Sequence, residues 1–337
     1  MLFELPDFEH IDASDVKEAA SYLDRYGDKA KIMAGATDLL GLMKDRIEGP
    51  GIKNPEVLVN IKKIPEMVAI SYDRSNGLRI GAAVTLNQLA SSREVSEKFP
   101  LLKQAALQVG TTQIRNMGTV GGNLCQRLRC AYFRHPHFVC FKKGGTACYA
   151  IAGEHRFYHS IMMLGKCVAA HPSDMAPALM ACHAKAVLAS SAGERKLPLD
   201  AFFAGPNSLA ETLLKPGELM SSIEVPEQKS ARQVFLKERI RHAADFALSS
   251  VALAARVSKG VCEEIRLVLG GIAPVPVVAP VANMIKGKKL DDRLIADAVE
   301  ASIKGARPLP MNGYKVDLTK ALVRRALASV AKDIEER

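Results

Sequence analysis

The feature that most constrains this chain is the stretch 110–173, where regular hydrophobic patterning stops. It is rich in Gly, Cys, His and basic residues, and it is far longer than an ordinary connection between secondary-structure elements. Such a stretch is either disordered or functional. Its cysteines indicate function, because five of the seven in the chain fall there: Cys125, Cys130, Cys140, Cys148 and Cys167.

On both sides of this stretch, helical and strand patterns follow one another and predict an α+β fold. Ser14 is expected to cap the first helix and Gly27 to end it; Asp38, with Thr37, is expected to cap the second. The predicted helices are 14–26, one from 37 onward, 85–90, 101–109, 175–182, 290–304 and 318–337. The predicted strands are 31–34, 57–61, 78–82, 185–189, 232–237, 247–257 and 265–272, with regular structure also over 197–203. Residues 226–230 are a plausible seam before a C-terminal α+β unit.

Length and composition narrow the class of protein. The chain has 337 residues, enough for two or three packed units. No apolar run reaches the ~18–20 residues of a membrane span, and the start of the chain lacks a secretory pattern, so we expect a cytoplasmic protein. An odd number of cysteines then argues against a disulfide framework.

The net charge of +10 has two explanations. A nucleic-acid surface is the first, but the chain has no Trp, no aromatic residues interleaved with the basic ones and no binding motif, so we expect no nucleic-acid partner. The second is a basic environment for bound anionic groups, such as a pyrophosphate or a thiolate-ligated cluster.

Two glycine-containing segments are candidate phosphate sites. In the first, Gly35 permits a tight turn after a strand, and the next helix presents unpaired N–H groups. In the second, Gly121 and Gly122 permit close backbone approach, and Thr119 and Asn123 offer polar side chains. Neither segment is a dinucleotide fingerprint or a P-loop, so two plain turns remain an alternative.

Taken with their surroundings, these segments resemble a known family. The motifs AGATDLL (34–40), QIRNMGTVGGNL (113–124), HPSDMAPAL (171–179) and FLKERIRHAAD (235–245) are similar to the FAD-binding medium subunit of molybdenum hydroxylases. That group includes the flavin subunits of xanthine, aldehyde, carbon monoxide and 4-hydroxybenzoyl-CoA enzymes. The resemblance implies a PCMH-type FAD-binding domain of two α+β subdomains over 1–228. A C-terminal α+β domain like that of the CO dehydrogenase flavoprotein would follow over 229–337.

The resemblance also implies FAD-binding roles for individual residues. Asp174 would bond a hydroxyl-bearing part of FAD, although a helix N-cap is the alternative from sequence. Lys237 would lie near the flavin ring, whereas sequence alone favours a solvated strand lysine. Family members usually have Gly at position 36, and the methyl of Ala36 should require a negative φ or a slightly wider turn. The residues expected around the pyrophosphate are Lys31, Ile32, Met33, Ala34, Gly35, Ala36, Thr37, Asp38, Leu39, Thr119, Gly121, Gly122 and Asn123, with Thr111 nearby.

The cysteine spacing fits neither a zinc ribbon nor a ferredoxin run. Between 125 and 173, Glu154 is the one acid against seven basic residues, and cations stabilise a negatively charged cluster. The segment resembles the [4Fe–4S] insertion, here about 125–168, of 4-hydroxybenzoyl-CoA reductase and periplasmic-type aldehyde oxidoreductase flavin subunits. The implied ligands are Cys130, Cys140, Cys148 and Cys167.

Other ligand sets remain open for these cysteines. Zinc could use the same four, or three of them with one of His135, His137, His155, His159 and His171, although we expect these histidines at the surface or beside the ligands. Unligated thiols are a further alternative. Cys125 is expected to be a small buried residue, and Cys182 and Cys262 core residues.

The family implies an electron-transfer role in an oxidoreductase. A substrate would react at a molybdenum cofactor on a large partner subunit, and electrons would cross a small [2Fe–2S] subunit to reach FAD here. NAD, ferredoxin or another external carrier would then exchange them, in a heterotrimer that can itself dimerise. We predict no catalytic acid–base residue in this chain, because it offers no Ser–His–Asp or paired-carboxylate site. Alternatives are a non-catalytic zinc or nucleic-acid-binding protein and a stand-alone flavoprotein.

Overall fold

The structure is a computed structural model that describes residues 4–229, 232–258 and 260–335, the last four of these as backbone only. Within these ranges twelve strands form three sheets. The strands are β1 Glu9–Asp12, β2 Ala30–Met33, β3 Val57–Asn60, β4 Ile70–Asp73, β5 Gly77–Gly81, β6 Lys185–Ser190, β7 Gly193–Pro198, β8 Leu219–Val225, β9 Arg232–Glu238, β10 Ser249–Ser258, β11 Val261–Gly270 and β12 Val277–Val278.

Twelve α-helices of very different length accompany these strands in the described ranges. They are α1 Val16–Tyr26, α2 Leu39–Lys44, α3 Leu86–Ser91, α4 Arg93–Lys98, α5 Pro100–Leu107, α6 Thr112–Met117, α7 Val120–Leu124, α8 Tyr149–Ala152, α9 Met175–Ala181, α10 Ala282–Ile285, α11 Asp292–Ser302 and α12 Tyr314–Glu335. None of them combines the length and the apolar character that crossing a membrane would require.

The first three strands form a parallel sheet in the order β1-β3-β2. Helix α1 buries Ala19, Ala20 and Leu23 against it. Its cap is Asp15, whose carboxylate accepts the Glu18 N–H at 2.8 Å, so the prediction of Ser14 as the cap was wrong. Ser14 instead donates to the Glu18 carboxylate. Gly27 ends the helix with φ of 54°, as predicted, because that conformation favours glycine.

A five-stranded antiparallel sheet in the order β4-β5-β8-β6-β7 forms the second layer. Helices α3, α5 and α9 join its core, and α9 is buried along its whole length. The prediction missed β1, β4, β8 and β12, and it placed regular structure over 197–203 where β7 ends and a 3-10 turn follows. Strands β1 and β4 are exposed or half-buried and lack the run of apolar residues that identified the equally short β2 and β3.

The C-terminal sheet has the order β12-β11-β10-β9 and is buried on both faces. Along β10, Ala252 and Ala254 pack into the core of the preceding layers, while Val251 and Leu253 pack toward α11 and α12. Helix α12 begins at Tyr314, four residues before the predicted start. Of the predicted seam 226–230, residue 230 lies outside the described residues, as do 336–337 of the last predicted helix.

The stretch 110–173 lies over the junction of these layers and is largely irregular. In the described structure its only α-helices are α6, α7 and α8, and a 3-10 turn covers Phe141–Lys143. Lys315, at the start of α12, is fully buried beneath it. Its ammonium donates to the carbonyls of Phe157, His159 and Gly271 at 2.7–3.0 Å. These bonds fix the cysteine-containing stretch to the C-terminal domain.

Candidate functional site

The first glycine segment is a tight turn between β2 and α2. Lys31, Ile32 and Met33 belong to β2, and the turn covers 34–38. Ala36 adopts a left-handed backbone with φ of 55°. Of the two alternatives expected for this residue, the negative φ was therefore wrong, and the slightly wider turn stays a prediction. The turn keeps the glycine-like conformation in spite of the methyl group, and such strain is typical of functional sites.

Within the described structure, the backbone N–H groups of residues 35–39 have no protein acceptor. Successive N–H groups around a left-handed residue form an anion-binding concavity, and the start of a helix adds partial positive charge. The donor set of this turn is therefore suited to phosphate oxygens. Sequence reasoning identified the turn from Gly35, but not the left-handed Ala36.

Gly35 brings the first segment against the second. A Cβ at Gly35 would lie 2.0 Å from the carbonyl oxygen of Met117, so no other residue fits there without displacing the backbone. Gly121 is likewise pressed against Ala82, to whose carbonyl its N–H donates at 2.9 Å. Gly35 therefore holds the two segments together by close packing, and Gly121 fixes the second segment to the residue that follows β5.

The second segment is the first turn of a helix rather than the loop that we expected. Thr119 caps α7, and its hydroxyl accepts the Gly122 N–H at 3.1 Å. Thr111 caps α6 in the same way, with Ile114 as the donor at 3.3 Å. The Asn123 side chain accepts a hydrogen bond from the Ser173 hydroxyl at 2.6 Å. This segment is therefore tied to the chain that leads into Asp174.

Asp174 and Lys237 form a buried ion pair at 2.6 Å, with 5% and 1% of their side chains exposed. Lys237 also donates to the carbonyls of Gln108 and Asp245. Neither of the roles that the sequence alone suggested, a helix N-cap for Asp174 and a solvated lysine for Lys237, is found. Lys237 is not solvated, and the Asp174 carboxylate makes no cap bond, since the Ser173 hydroxyl accepts the Ala176 N–H instead. Burial raises the pKa of Asp174, and the Lys237 charge opposes that shift.

The predicted flavin residues are thus connected through direct contacts. Residues 31–39 meet 117–123 through Gly35, and 119–123 meet Asp174 through the bond from Asn123 to Ser173. Thr111 joins them because the preceding Gly110 accepts the N–H of Ala244, beside Asp245.

Asp38 has a role that the sequence did not reveal. It stands before α2 without capping it, so that prediction was wrong. Its carboxylate instead pairs with Arg129 at 2.8 Å and Arg134 at 2.6 Å, and it accepts the Arg127 N–H at 2.8 Å. Asp38 therefore joins the glycine turn directly to the cysteine segment.

The four predicted cysteine ligands line one small cavity. Cys130, Cys140 and Cys167 are buried and Cys148 is half-buried. The cavity is otherwise lined mainly by apolar and aromatic side chains, among them Leu128, Tyr132, Phe133, Phe141 and Tyr149. Cys125 lies outside this cavity, and Cys182 and Cys262 are core residues as predicted.

Backbone N–H groups point at three of the four thiols. They belong to Tyr132 and Phe133 for Cys130, to Lys142 and Lys143 for Cys140, and to Ala169 for Cys167. Burial raises the pKa of Cys130 to about 11 and that of Cys167 to about 12, and these N–H groups oppose the rise. The N–H groups are suited to stabilise thiolates once a bound group has removed the protons.

Histidines lie near the cavity without forming a tight ligand group. His159 Nε2 lies 3.3 Å from Cys130 Sγ, and burial lowers the pKa of His159 to about 4. His155 and His171 are buried elsewhere, and His135 and His137 are exposed. No three of the His, Cys, Asp and Glu side chains in the described ranges converge closely enough to hold one metal ion.

Two buried acids near the site were missed from the sequence. Glu211, in a loop with no motif, pairs with Arg127 at 2.6 Å and with Lys142 at 3.7 Å. Asp245 accepts the Tyr158 hydroxyl. Both fix the cysteine segment to its surroundings. Asp245 lies in the quoted family motif, but nothing in the sequence signals Glu211.

Two family models match consecutive parts of the chain. The FAD binding domain in molybdopterin dehydrogenase matches residues 6–228, and the CO dehydrogenase flavoprotein C-terminal domain matches residues 235–330. The aldehyde oxidoreductase FAD-binding subunit PaoB of Escherichia coli (strain K12) is 34% identical over 307 residues, 89% of this chain and 90% of that protein. The carbon monoxide dehydrogenase medium chain of Hydrogenophaga pseudoflava is 29% identical over 96% of both chains.

A solved structure has the same fold. It is carbon monoxide dehydrogenase from Hydrogenophaga pseudoflava, in a form that lacks the Mo-pyranopterin moiety of the molybdenum cofactor. The TM-score is 0.78 at 27% identity, over 98% of this chain and 99% of that one. The predicted fold class is thereby confirmed. The chain belongs to the family of FAD-binding medium subunits of molybdenum-hydroxylase-type oxidoreductases.

Proposed function

We propose that this chain carries one FAD and one [4Fe–4S] cluster and passes electrons between molybdenum-containing partner subunits and an external carrier. One observation carries the proposal: four cysteines line a single cavity, and Asp38 joins their segment to the glycine turn. The two candidate sites are therefore neighbours within one rigid network.

For FAD, we propose that the unpaired N–H groups of residues 35–39 receive the pyrophosphate oxygens. The donors are fixed in place before binding, because Gly35 packs on Met117 and α2 continues the turn. Thr111 and Thr119 hold the starts of α6 and α7 in position by capping them. Asp174 and Lys237 supply one negative and one positive group beside this region, with little water near either.

For the cluster, the donor set supports iron–sulfur chemistry more than zinc. A structural zinc ion needs four ligands at about 2.0–2.3 Å from one centre, and no such group is drawn together in the described structure. A [4Fe–4S] cluster binds each thiolate at a different iron, so its cysteines surround a volume rather than a point. The four cysteines around one cavity, with N–H donors aimed at three of them, fit that requirement.

When bound, FAD and the cluster supply the redox chemistry, and the protein supplies binding, orientation and electrostatics. The aromatic side chains of Tyr132, Phe138 and Tyr149 pack on one another beside the cysteine cavity. We assign no acid–base catalyst to this chain. The organic substrate would react on a partner subunit.

The proposed assembly follows from the names of the relatives, which are medium chains or FAD-binding subunits. We propose a heterotrimer in the cytoplasm with a large molybdenum-cofactor subunit and a small [2Fe–2S] subunit. NAD, ferredoxin or a similar carrier would exchange electrons with the chain. A stand-alone flavoprotein is the second candidate, and co-purification of molybdenum-containing subunits with the tagged chain would exclude it.

Paired cysteine variants test the cluster proposal. Cys148→Ser should lose iron, acid-labile sulfide and the broad iron–sulfur absorption shoulder of the anaerobically purified protein, while FAD stays bound. Cys125→Ser is the matched control, because Cys125 lies in the same segment but outside the cavity, and it should keep all three. A Cys148→Ser protein that keeps its iron, or loses FAD alone, would contradict the assignment.

A further inference from the structure

Lys143 is a buried cation beside the cysteine cavity. Its side chain is fully buried, in a 3-10 turn over Phe141–Lys143 that directly follows Cys140. Its carbonyl accepts the Gly51 N–H at 2.8 Å, and a Cβ at Gly49 would lie only 2.8 Å from its own Cβ. The lysine is therefore enclosed by backbone and cannot swing out to solvent.

The partners of Lys143 are unusual for a buried ammonium group. Its Nζ donates to one carbonyl, that of His135, at 2.6 Å. No carboxylate of the described residues lies within ion-pair distance of it. The other buried lysines are better satisfied: Lys142 pairs with Glu211, Lys237 pairs with Asp174, and Lys315 donates to three carbonyls. A buried charge without a counter-ion is costly, so a negative charge that forms beside Lys143 would stabilise it.

The group that can supply this negative charge is the thiol of Cys140. Lys143 belongs to the turn that begins at Cys140: its backbone N–H donates to the Cys140 carbonyl at 2.8 Å and also points at the Cys140 sulfur. We infer that Lys143 is the built-in counter-ion of the cysteine cavity and raises the reduction potential of the iron–sulfur cluster bound there. This inference rests on the proposed function, since it requires that the four thiolates hold a cluster.

The physical reason is charge balance. If a cluster is bound by the four cysteines, each electron that it accepts would add one negative charge, and Lys143 would keep its proton. A fixed positive charge nearby favours that extra electron, and the low-dielectric surroundings strengthen the effect. Lys143 therefore acts through the cluster as a positioning residue and is not itself a catalytic group.

The test compares three variants in the anaerobically purified complex. Lys143→Gln removes the charge at similar size, Lys143→Arg keeps it, and Lys166→Gln removes an exposed charge next to Cys167. Redox titration followed by EPR should show that Lys143→Gln lowers the cluster's reduction equilibrium constant about tenfold, 59 mV for a one-electron couple. Lys143→Arg should stay near wild type, and Lys166→Gln should shift much less, because solvent screens its charge.

Other outcomes also decide the question. Loss of the cluster in Lys143→Gln but not in Lys143→Arg supports a requirement for charge. Loss in both variants shows that size and packing matter instead, and it overturns the inference, as does an unchanged potential in Lys143→Gln. The iron and sulfide content of the wild type tests the proposed function separately, so a wild type without a cluster would refute that function and not merely the role of Lys143.

Discussion

Lys237 Nζ lies 2.6 Å from the Asp174 carboxylate, and both side chains are almost completely removed from solvent. One residue precedes α9 and the other lies in β9, so the pair joins the FAD-binding part of the chain to the C-terminal sheet. The family resemblance predicts that both residues belong to the flavin site.

We expect single substitutions in this pair to be strongly destabilising. Asp174→Leu or Lys237→Met leaves the other charge buried and unpaired, which costs about 3–5 kcal/mol of unfolding free energy. The double variant should recover much of the loss. Urea denaturation of the flavin-free protein measures the unfolding free energy of each variant. Lys29→Met is the control, because its pair with Glu56 is exposed and should change little. Single variants no less stable than Lys29→Met would contradict the account.

We expect Gly35→Ala to separate the two segments of the flavin site. The new methyl would lie 2.0 Å from the Met117 carbonyl oxygen, so one backbone must move and FAD affinity should fall at least tenfold. The control is Gly41→Ala in α2, where a Cβ meets nothing within 4 Å. It should keep FAD and gain about 0.5–1 kcal/mol of unfolding free energy. Fluorescence titration with FAD distinguishes the two, and equal affinities would refute the packing role of Gly35.

Ala36 is expected to carry conformational strain that glycine would relieve. With φ of 55°, Ala36 lies in the left-handed region, which costs an alanine about 1–2 kcal/mol in the folded state. Glycine would remove this strain, but its larger conformational entropy in the unfolded chain offsets part of the gain. Ala36→Gly should therefore raise the unfolding free energy by up to about 1 kcal/mol and leave FAD binding intact. A clear loss of stability in thermal and urea unfolding would show that Ala36 is not left-handed in solution.

His171 gives a pH dependence with a definite sign. Burial, helped by the nearby Lys142 charge, lowers the pKa of His171 to about 3. The folded protein keeps this ring neutral, while the unfolded chain takes up a proton below about pH 6.5. Stability should therefore fall as pH falls from about 6.5 toward 3, by about 1.4 kcal/mol per pH unit for this one group.

His171→Asn isolates that contribution. The Asn oxygen can replace Nδ1 as the acceptor of the Ser173 N–H, a bond of 3.4 Å in the structure. Urea unfolding at several pH values should give a shallower slope for the variant than for the wild type. Burial lowers the pKa of His159 to about 4, so this residue contributes to the pH dependence of stability in both proteins. Parallel slopes would mean that His171 is not buried in its neutral form.

Much of the fold could be predicted from patterning and from a few special residues. Gly27 ends α1, and the apolar runs of β3 and β6 identify strands because strand burial leaves a continuous signal, while β5 shows the alternation of buried Leu78 and Ile80 with exposed Arg79. The four-residue strands β1 and β4 were missed because they carry few apolar residues, and β1 also depends on pairing with the distant strand β3. Tertiary pairing of this kind leaves no local signal.

In the candidate site too, motifs identify individual residues, but only the fold identifies many of their partners. The glycine turn, the cysteines, Asp174 and Lys237 were named from motifs, because family motifs carry the residues themselves. The pairing of Asp174 with Lys237 was not predicted. The partners of Asp38 were not predicted either, since its arginines lie about ninety residues further along the chain and only the fold brings them together. The left-handed Ala36 and the unpaired Lys143 likewise depend on packing that spacing does not encode.

The most direct test of the central claim is the cofactor content of the chain purified anaerobically with its partner subunits, counted after the chain is separated from them. FAD, iron and acid-labile sulfide should be measured on the same sample. The account predicts about one FAD, four iron atoms and four sulfides per chain. A chain with a full complement of FAD but without iron and sulfide, even after reconstitution, would contradict the two-cofactor account.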